Sequence, residues 1–351
     1  MSQSPRAETL QRRFSQHKTT GNSPLRPILT SLNGDNSWLI SFPRPAAERA
    51  NPGSRSYFHV VSDAWLVGEA TTFARWIVRI TLDSPAAISS GDAVEKAARE
   101  IEAAAGSTCS PDADTSPIDA IFVNFHLTDH LHKETLHSFR RDIPVFATQE
   151  AAAIIRPWNY FHQLTETRDF DPSHTQTWQS LHPEGLPSWL SVFRCVGHNY
   201  LSFATVLVYS SETDMDSTES QHEAIIYSPH GIKTDQPSTQ AFLGTNGEAG
   251  ANLNPPIRVL AILHALKDGY AFWMRSTLGV MGGLALERMA RPRYWVKSHD
   301  SMLPYSGILA WLANVVDIRR SLQSGLDEEG ETKEGRPNLV EVENGGYFVL
   351  E

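Results

Sequence analysis

Apolar residues first gather at 27–32, Pro27-Ile28-Leu29-Thr30-Ser31-Leu32, and again at 37–42, Ser37-Trp38-Leu39-Ile40-Ser41-Phe42, around the turn-rich Asn33-Gly34-Asp35-Asn36. Two β-type runs about such a tetrapeptide predict a hairpin. A third strand is predicted at 57–61 and delivers Asp63-Ala64-Trp65-Leu66 to its end, and another at 76–82. The 3.6-residue period over 92–105, with Ser90 or Asp92 before it and Gly106 after it, predicts a helix. The nearly continuous apolar run 118–124 predicts a strand covered on both faces. Further strands are expected at 144–147, 190–196, 201–209, 223–227 and 257–263, and helices at 150–155, 278–289 and 307–322. An acidic hairpin loop is expected at 212–219. Strands followed by alternating strands and helices, twice over, suggest layered sheets with helices outside, in one domain spanning 26–351. The polar segment 1–25 is expected to be disordered and 326–336 a mobile acidic loop.

Composition narrows the function. With 30 Lys and Arg against 40 Asp and Glu, the net charge is −10, which offers no electrostatic footprint for nucleic acid or an anionic membrane. Cys109 and Cys195 are too few for a disulfide framework or a cysteine-rich zinc module. No apolar run approaches a membrane span and the first residues lack an apolar signal core, so a cytoplasmic setting is expected. The glycines of 244–250 have the wrong spacing for a nucleotide loop, and neither a P-loop nor a Gly-x-Ser-x-Gly elbow occurs.

Polar side chains suited to chemistry sit at the ends of five predicted strands: Asp63; His126, Asp129, His130 and His132; His198; His230; and His299 with Asp300. In order along the chain, Asn33-Gly34-Asp35-Asn36-Ser37-Trp38, Asp63-Ala64-Trp65-Leu66, Phe125-His126-Leu127-Thr128-Asp129-His130, Gly197-His198, Tyr227-Ser228-Pro229-His230 and Ser298-His299-Asp300 resemble the landmarks of the metallo-β-lactamase superfamily, in particular its lactonase-like branch. The resemblance runs from about residue 32 to 300. It implies an α+β four-layer αββα sandwich, two mixed β-sheets flanked by helices. It also implies the pattern His-x-His-x-Asp-His, in which the first two His and a later His hold one zinc. The Asp and the last His hold a second zinc, together with a bridging Asp and a final His.

The sequence departs from that pattern. Phe125 and Leu127 stand at the first two ligand positions, His198 at the third His, His230 where the bridging Asp is expected, and His299 at the terminal His. A dinuclear hydrolase is therefore not expected. One reading turns the metal cradle into an apolar pocket that requires no cofactor and isomerises, eliminates or cyclises an apolar natural-product intermediate, a pericyclic step included. Asp129, His130, His198, His230 and His299 then hydrogen-bond or move protons, and Phe125, Leu127, Trp65, Trp158, Trp189, Tyr227 and Trp273 line the pocket. Asp63, His126 and Asp300 stand behind them as orienting groups. The resemblance extends to fungal proteins of this kind and to natural-product pathways. The alternative is a hydrolase of lactonase or thioesterase type with one zinc or iron on Asp129, His130 and His299, joined by His230, or by His126 if the loop shifts. A third is a non-catalytic binder of small molecules. The plainest reading of 126–132 is a polar helix start capped by Asp129 with Lys133 as its partner.

Overall fold

A computed structural model describes residues 5–19, 24–51, 53–72, 74–107, 115–174, 177–211, 221–244, 256–330 and 335–351. Two seven-stranded mixed sheets form its centre. The first runs, in spatial order, Tyr347–Val349, Ile28–Ser31, Trp38–Pro43, Tyr57–Ser62, Ile118–Val123, Val145–Ala147 and Leu164–Glu166. The second runs Leu339–Val340, Tyr294–Lys297, Ile257–His264, Gln221–Ser228, Phe203–Ser211, Leu190–Val196 and Arg168–Asp169. The predicted opening hairpin pairs Ile28 with Ser41 and Ser31 with Trp38.

Three apolar layers account for the stacking. Trp38, Ile40, Phe122, Leu207, Ile225 and Leu263 fill the space between the sheets. Leu39, Val61 and Ile121 face the other way, onto Val94, Ala98 and Ile101 of the helix Gly91–Ala105. Ile226 and Ile262 of the second sheet likewise meet Val280 and Leu284 of the helix Gly279–Ala290. Alternation along each strand thus serves two cores at once, which gives an αββα sandwich. No helix among the described residues is long and apolar enough to cross a membrane.

Several expectations are corrected. The N-terminal segment contains a helix, Pro5–Thr19, because Leu10 and Phe14 share one face and are buried against the first outer core, with Arg6 paired to Glu100 at 2.7 Å. The acidic segment begins inside a helix, Leu322–Glu329, capped by Ser321 and packed on the second outer core through Leu322 and Leu326. Residues 331–334 lie outside the described residues, as do Cys109, the loop 212–219 and the glycines of 245–250. The long helix expected at 307–322 is two elements, Ile308–Leu312 and the strand Val316–Ile318, which pairs with Asp268–Ala271. Ser90, and not Asp92, caps the helix Gly91–Ala105.

Glu102 of that helix enters the protein and accepts hydrogen bonds from the backbone N–H groups of Ser56 (2.8 Å) and Tyr57 (2.9 Å), with His59 Nε2 at 3.0 Å. Burial opposes its charge, but these bonds and His59 outweigh burial and hold its pKa at about 2. A carboxyl whose folded pKa lies below its ordinary value stabilises fully above about pH 4.5 and progressively less as pH falls toward 2. Glu102→Gln is therefore expected to cost about 3 kcal/mol at neutral pH and to flatten the acid limb of stability, measured by urea unfolding as a function of pH.

Candidate functional site

Strands Tyr57–Ser62 and Ile118–Val123 are parallel neighbours, so their carboxyl ends open on the same edge. Gln221–Ser228, Ile257–His264 and Tyr294–Lys297 are likewise parallel in the other sheet. Chemistry-bearing residues follow these ends, where open α/β sheets commonly place their sites. His130 arrives through a turn in which its N–H donates to Leu127 O (2.9 Å). Gly231, immediately after His230, has φ +87, and a Cβ there would lie 2.8 Å from Leu278 Cβ, so the chain leaves His230 by a path only glycine fits. His299 itself has φ 56 and Asp63 φ 48. Left-handed backbone at two non-glycine residues of one site marks a geometry imposed by the surroundings.

His130, His230 and His299 converge, all buried, with donor atoms within 4.8 Å of one another. Their ring centroids are 4.8 to 5.6 Å apart. Each Nδ1 is held from behind: that of His130 by Asp63 Oδ2 (2.8 Å), that of His299 by Asp35 Oδ2 (2.9 Å), and that of His230 by Thr277 Oγ1 (3.2 Å). An Nδ1–H that donates to a carboxylate fixes the tautomer with the Nε2 lone pair facing forward. Asp129 joins from the side, its Oδ2 3.6 Å from His130 Nε2. The Nε2 atoms of His130 and His230 and Asp129 Oδ1 are buried with no hydrogen-bond partner among the described residues.

Electrostatics separate the three imidazoles. Burial and the neighbouring His299 and His130 push the pKa of His230 far down. Burial also acts on His130, but Asp129 and Asp63 outweigh it and raise its pKa. Asp35 is desolvated, yet His299, Lys267 and the Ser301 N–H keep it well below the usual carboxylate range. Tyr227 forms the floor, its hydroxyl 3.4 Å from Asn36 O and 3.5 Å from His130 Nδ1, and burial followed by Asp63 raises its pKa. One wall is apolar: the buried Phe125 ring lies 5.4 Å from His130 and 5.7 Å from His230, and stacks on Phe203 at 5.2 Å.

The other candidates are dispersed. His198 is exposed on the turn after Leu190–Val196, its Nε2 3.0 Å from Asn199 Nδ2, and burial with Lys233 lowers its pKa. His126 and Leu127 are half-buried beside the site. Asp300 accepts from the N–H groups of Leu266 and Lys267 (2.8 and 2.6 Å) and does not touch His299; Asp35 takes that place. Trp65 packs behind the site with Leu303, Trp158 lies against His137, and Trp189 meets Phe58 and donates to Glu48 (2.7 Å). Trp273 is exposed. The short helix of this region, Lys133–Leu136, is capped by His132, not Asp129. Burial raises the Cys195 thiol pKa, so its nucleophilic form is suppressed.

Asp35 and Thr277 are the residues sequence reading missed. Asp35 reads as a hairpin turn residue, and Thr277 lies within a strand, Met274–Leu278; neither carries a local mark of its contact with a distant histidine.

No protein-family model and no curated protein matches the chain. Solved structures do resemble it. A possible metal-dependent hydrolase from Veillonella parvula DSM 2008 aligns over 93% of this chain and 100% of its own, with TM-score 0.51 and 10% identity. The isothiocyanate hydrolase from Delia radicum gut bacteria covers 92% and 100% (TM-score 0.47, 12% identity). The metallo-β-lactamase fold protein YhfI from Bacillus subtilis covers 92% and 99% (TM-score 0.42, 9% identity). At such identities the likeness is one of fold. Layer order, sheet topology and the Veillonella likeness agree: the chain has the αββα sandwich of the metallo-β-lactamase fold.

Proposed function

We propose that the chain is a metal-dependent hydrolase with a single-metal centre on the Nε2 atoms of His130, His230 and His299, closed by Asp129. The carrying observation is the set of buried, unpartnered forward-facing atoms, Nε2 of His130 and His230 and Oδ1 of Asp129, behind which every Nδ1 is held. Buried polar atoms without partners are costly, and three imidazoles with a carboxylate suit zinc or ferrous iron. When bound, such a metal supplies a Lewis acid and an activated water for hydrolysis of an ester, thioester or lactone. Asp63, Asp35 and Thr277 orient the imidazoles. Phe125 and Phe203 present an apolar surface to the substrate and exclude bulk water.

The apolar wall equally favours a metal-free isomerase or cyclase acting on an apolar intermediate, with the same imidazoles as hydrogen-bond donors. That reading leaves the convergence of the lone pairs on one point without a purpose, so the hydrolase stands first.

Elemental analysis of the purified chain after incubation with Zn²⁺, Fe²⁺ or Mn²⁺ tests the proposal. About one equivalent is expected, removable by chelation together with turnover of a panel of esters, thioesters and lactones. Folded protein that takes up none of these metals would overturn it.

A further inference from the structure

Nine of the twelve large apolar side chains exposed among the described residues lie in three segments; Ile154, Val196 and Tyr200 are the exceptions. Trp76 (65% exposed) sits on the first segment, Phe272 and Trp273 (78%) on the second, and Ile308, Trp311 (79%) and Leu312 on the third. Backbone bonds join the segments: Ile308 N–H donates to Trp76 O (2.9 Å), and Phe272 N–H to Ala313 O (2.5 Å). They form one continuous lip. Thr277, which holds His230, belongs to the same hairpin as Phe272 and Trp273, so the lip flanks the candidate site.

Two features tell what covers it. Residues 69–81, 267–278 and 305–320 carry six Lys and Arg against three Asp and Glu, in a chain whose net charge is −10; Lys267 is buried on Asp317, and the exposed excess rests on arginines such as Arg75, which stands beside Trp76 and also meets Glu69. The lip thus carries a small positive excess on an acidic protein, a contrast the overall charge conceals. Its aromatic residues also stand at projecting tips. Ala271 pairs with Met274, leaving Phe272 and Trp273 as a two-residue turn with φ 51 and 60. Asn-Gly is favoured in such a turn, and bulky aromatic residues are strained there.

We infer that this lip docks the protein onto an anionic lipid surface. Tryptophan favours the bilayer interface, where its ring is buried and its N–H stays near the headgroups. Arginine beside it reaches lipid phosphates with its stem against the acyl boundary. A second copy of the chain fits less well, because a two-fold interface would set this basic lip against itself. The inference does not depend on the metal centre.

The test is co-sedimentation of the full chain with vesicles of phosphatidylcholine and phosphatidylserine, and with phosphatidylcholine alone, with tryptophan emission as second readout. Binding to the anionic vesicles is expected, with a blue shift and weakening by salt. The combined variant Phe272→Asn, Trp273→Gly, Trp311→Ser is expected to bind at least about tenfold more weakly. Its Tm should be unchanged or raised, since Asn-Gly relieves the turn. The inference is overturned if the wild-type chain stays in the supernatant or the folded variant binds equally well. A dimer in light scattering that the variant dissociates, without vesicle binding, would assign the lip to self-association instead.

Discussion

Alanine at His230 is expected to remove high-affinity metal binding and to lower hydrolysis at least about a thousandfold. The imidazole is one corner of the cluster, 4.8 Å from His299 and 5.6 Å from His130 between ring centroids, and its Nε2 is buried with no hydrogen-bond partner among the described residues. Its loss leaves two imidazoles and one carboxylate, a set that holds zinc in sites built around it, but here Asp129 stands to the side of His130 and the ligand opposite is gone, so affinity is expected to fall steeply. Stability separates this from a general folding defect. A metal bound only by the folded wild type stabilises it by about 2.7 kcal/mol at a free concentration one hundred times Kd. That corresponds to a Tm rise of about 4 °C for a chain of this size. In His230→Ala the metal-free protein should remain folded, because the substitution removes a desolvated polar group along with its packing, and Tm should no longer respond to added zinc. Thermal scans with and without zinc measure this directly. A zinc-dependent rise of undiminished size in the variant would show that His230 is not a ligand.

The sequence showed the strand ends clearly and their geometry only in part. Asp63, His130, His230 and His299 each follow a strongly apolar strand, so their placement at one edge follows from sheet topology alone. His198 follows such a strand too, and nothing local distinguishes it. The difference is that the chain after Leu190–Val196 turns straight back, with Gly197 N–H donating to Ser202 O (2.8 Å), which carries His198 to the surface. Asp300 beside His299 was the obvious orienting group, but it points back to the Leu266 and Lys267 N–H groups. The residue that reaches His299 comes from a hairpin 264 positions away. Such a pairing is a property of how two sheets stack, and no periodicity records it. The N-terminal helix escaped notice for another reason. Its apolar face is Leu10 and Phe14 within a polar segment, and what holds it is the outer core it covers, beside Tyr57.

Asp35 carries the sharpest remaining expectation. Its Oδ2 lies 2.9 Å from His299 Nδ1, and its Oδ1 accepts from Ser301 N–H at 2.9 Å. Asp35→Ala would leave that N–H and the ring unpartnered in a buried place and would damage folding and binding together. Asp35→Asn separates the two. The asparagine carbonyl can keep the Ser301 bond, while its NH₂ must then face His299 Nδ1. A donor there requires Nδ1 to accept, which moves the ring proton to Nε2 and occupies the lone pair that would bind the metal. A fall of about 10- to 100-fold in metal affinity is expected, or more if the ring cannot turn, with a loss of metal-free stability of only about 1 kcal/mol. Zinc affinity by competition with a chromophoric chelator and urea unfolding of the metal-free protein provide the two readouts. The tautomer also has its own signature, since the ring proton of His299 should move from Nδ1 to Nε2 in the ¹⁵N spectrum of the metal-free variant. Equal zinc affinity in wild type and Asp35→Asn would show that His299 Nε2 is not a ligand, and the centre would then have to rest on His130, His230 and Asp129 alone.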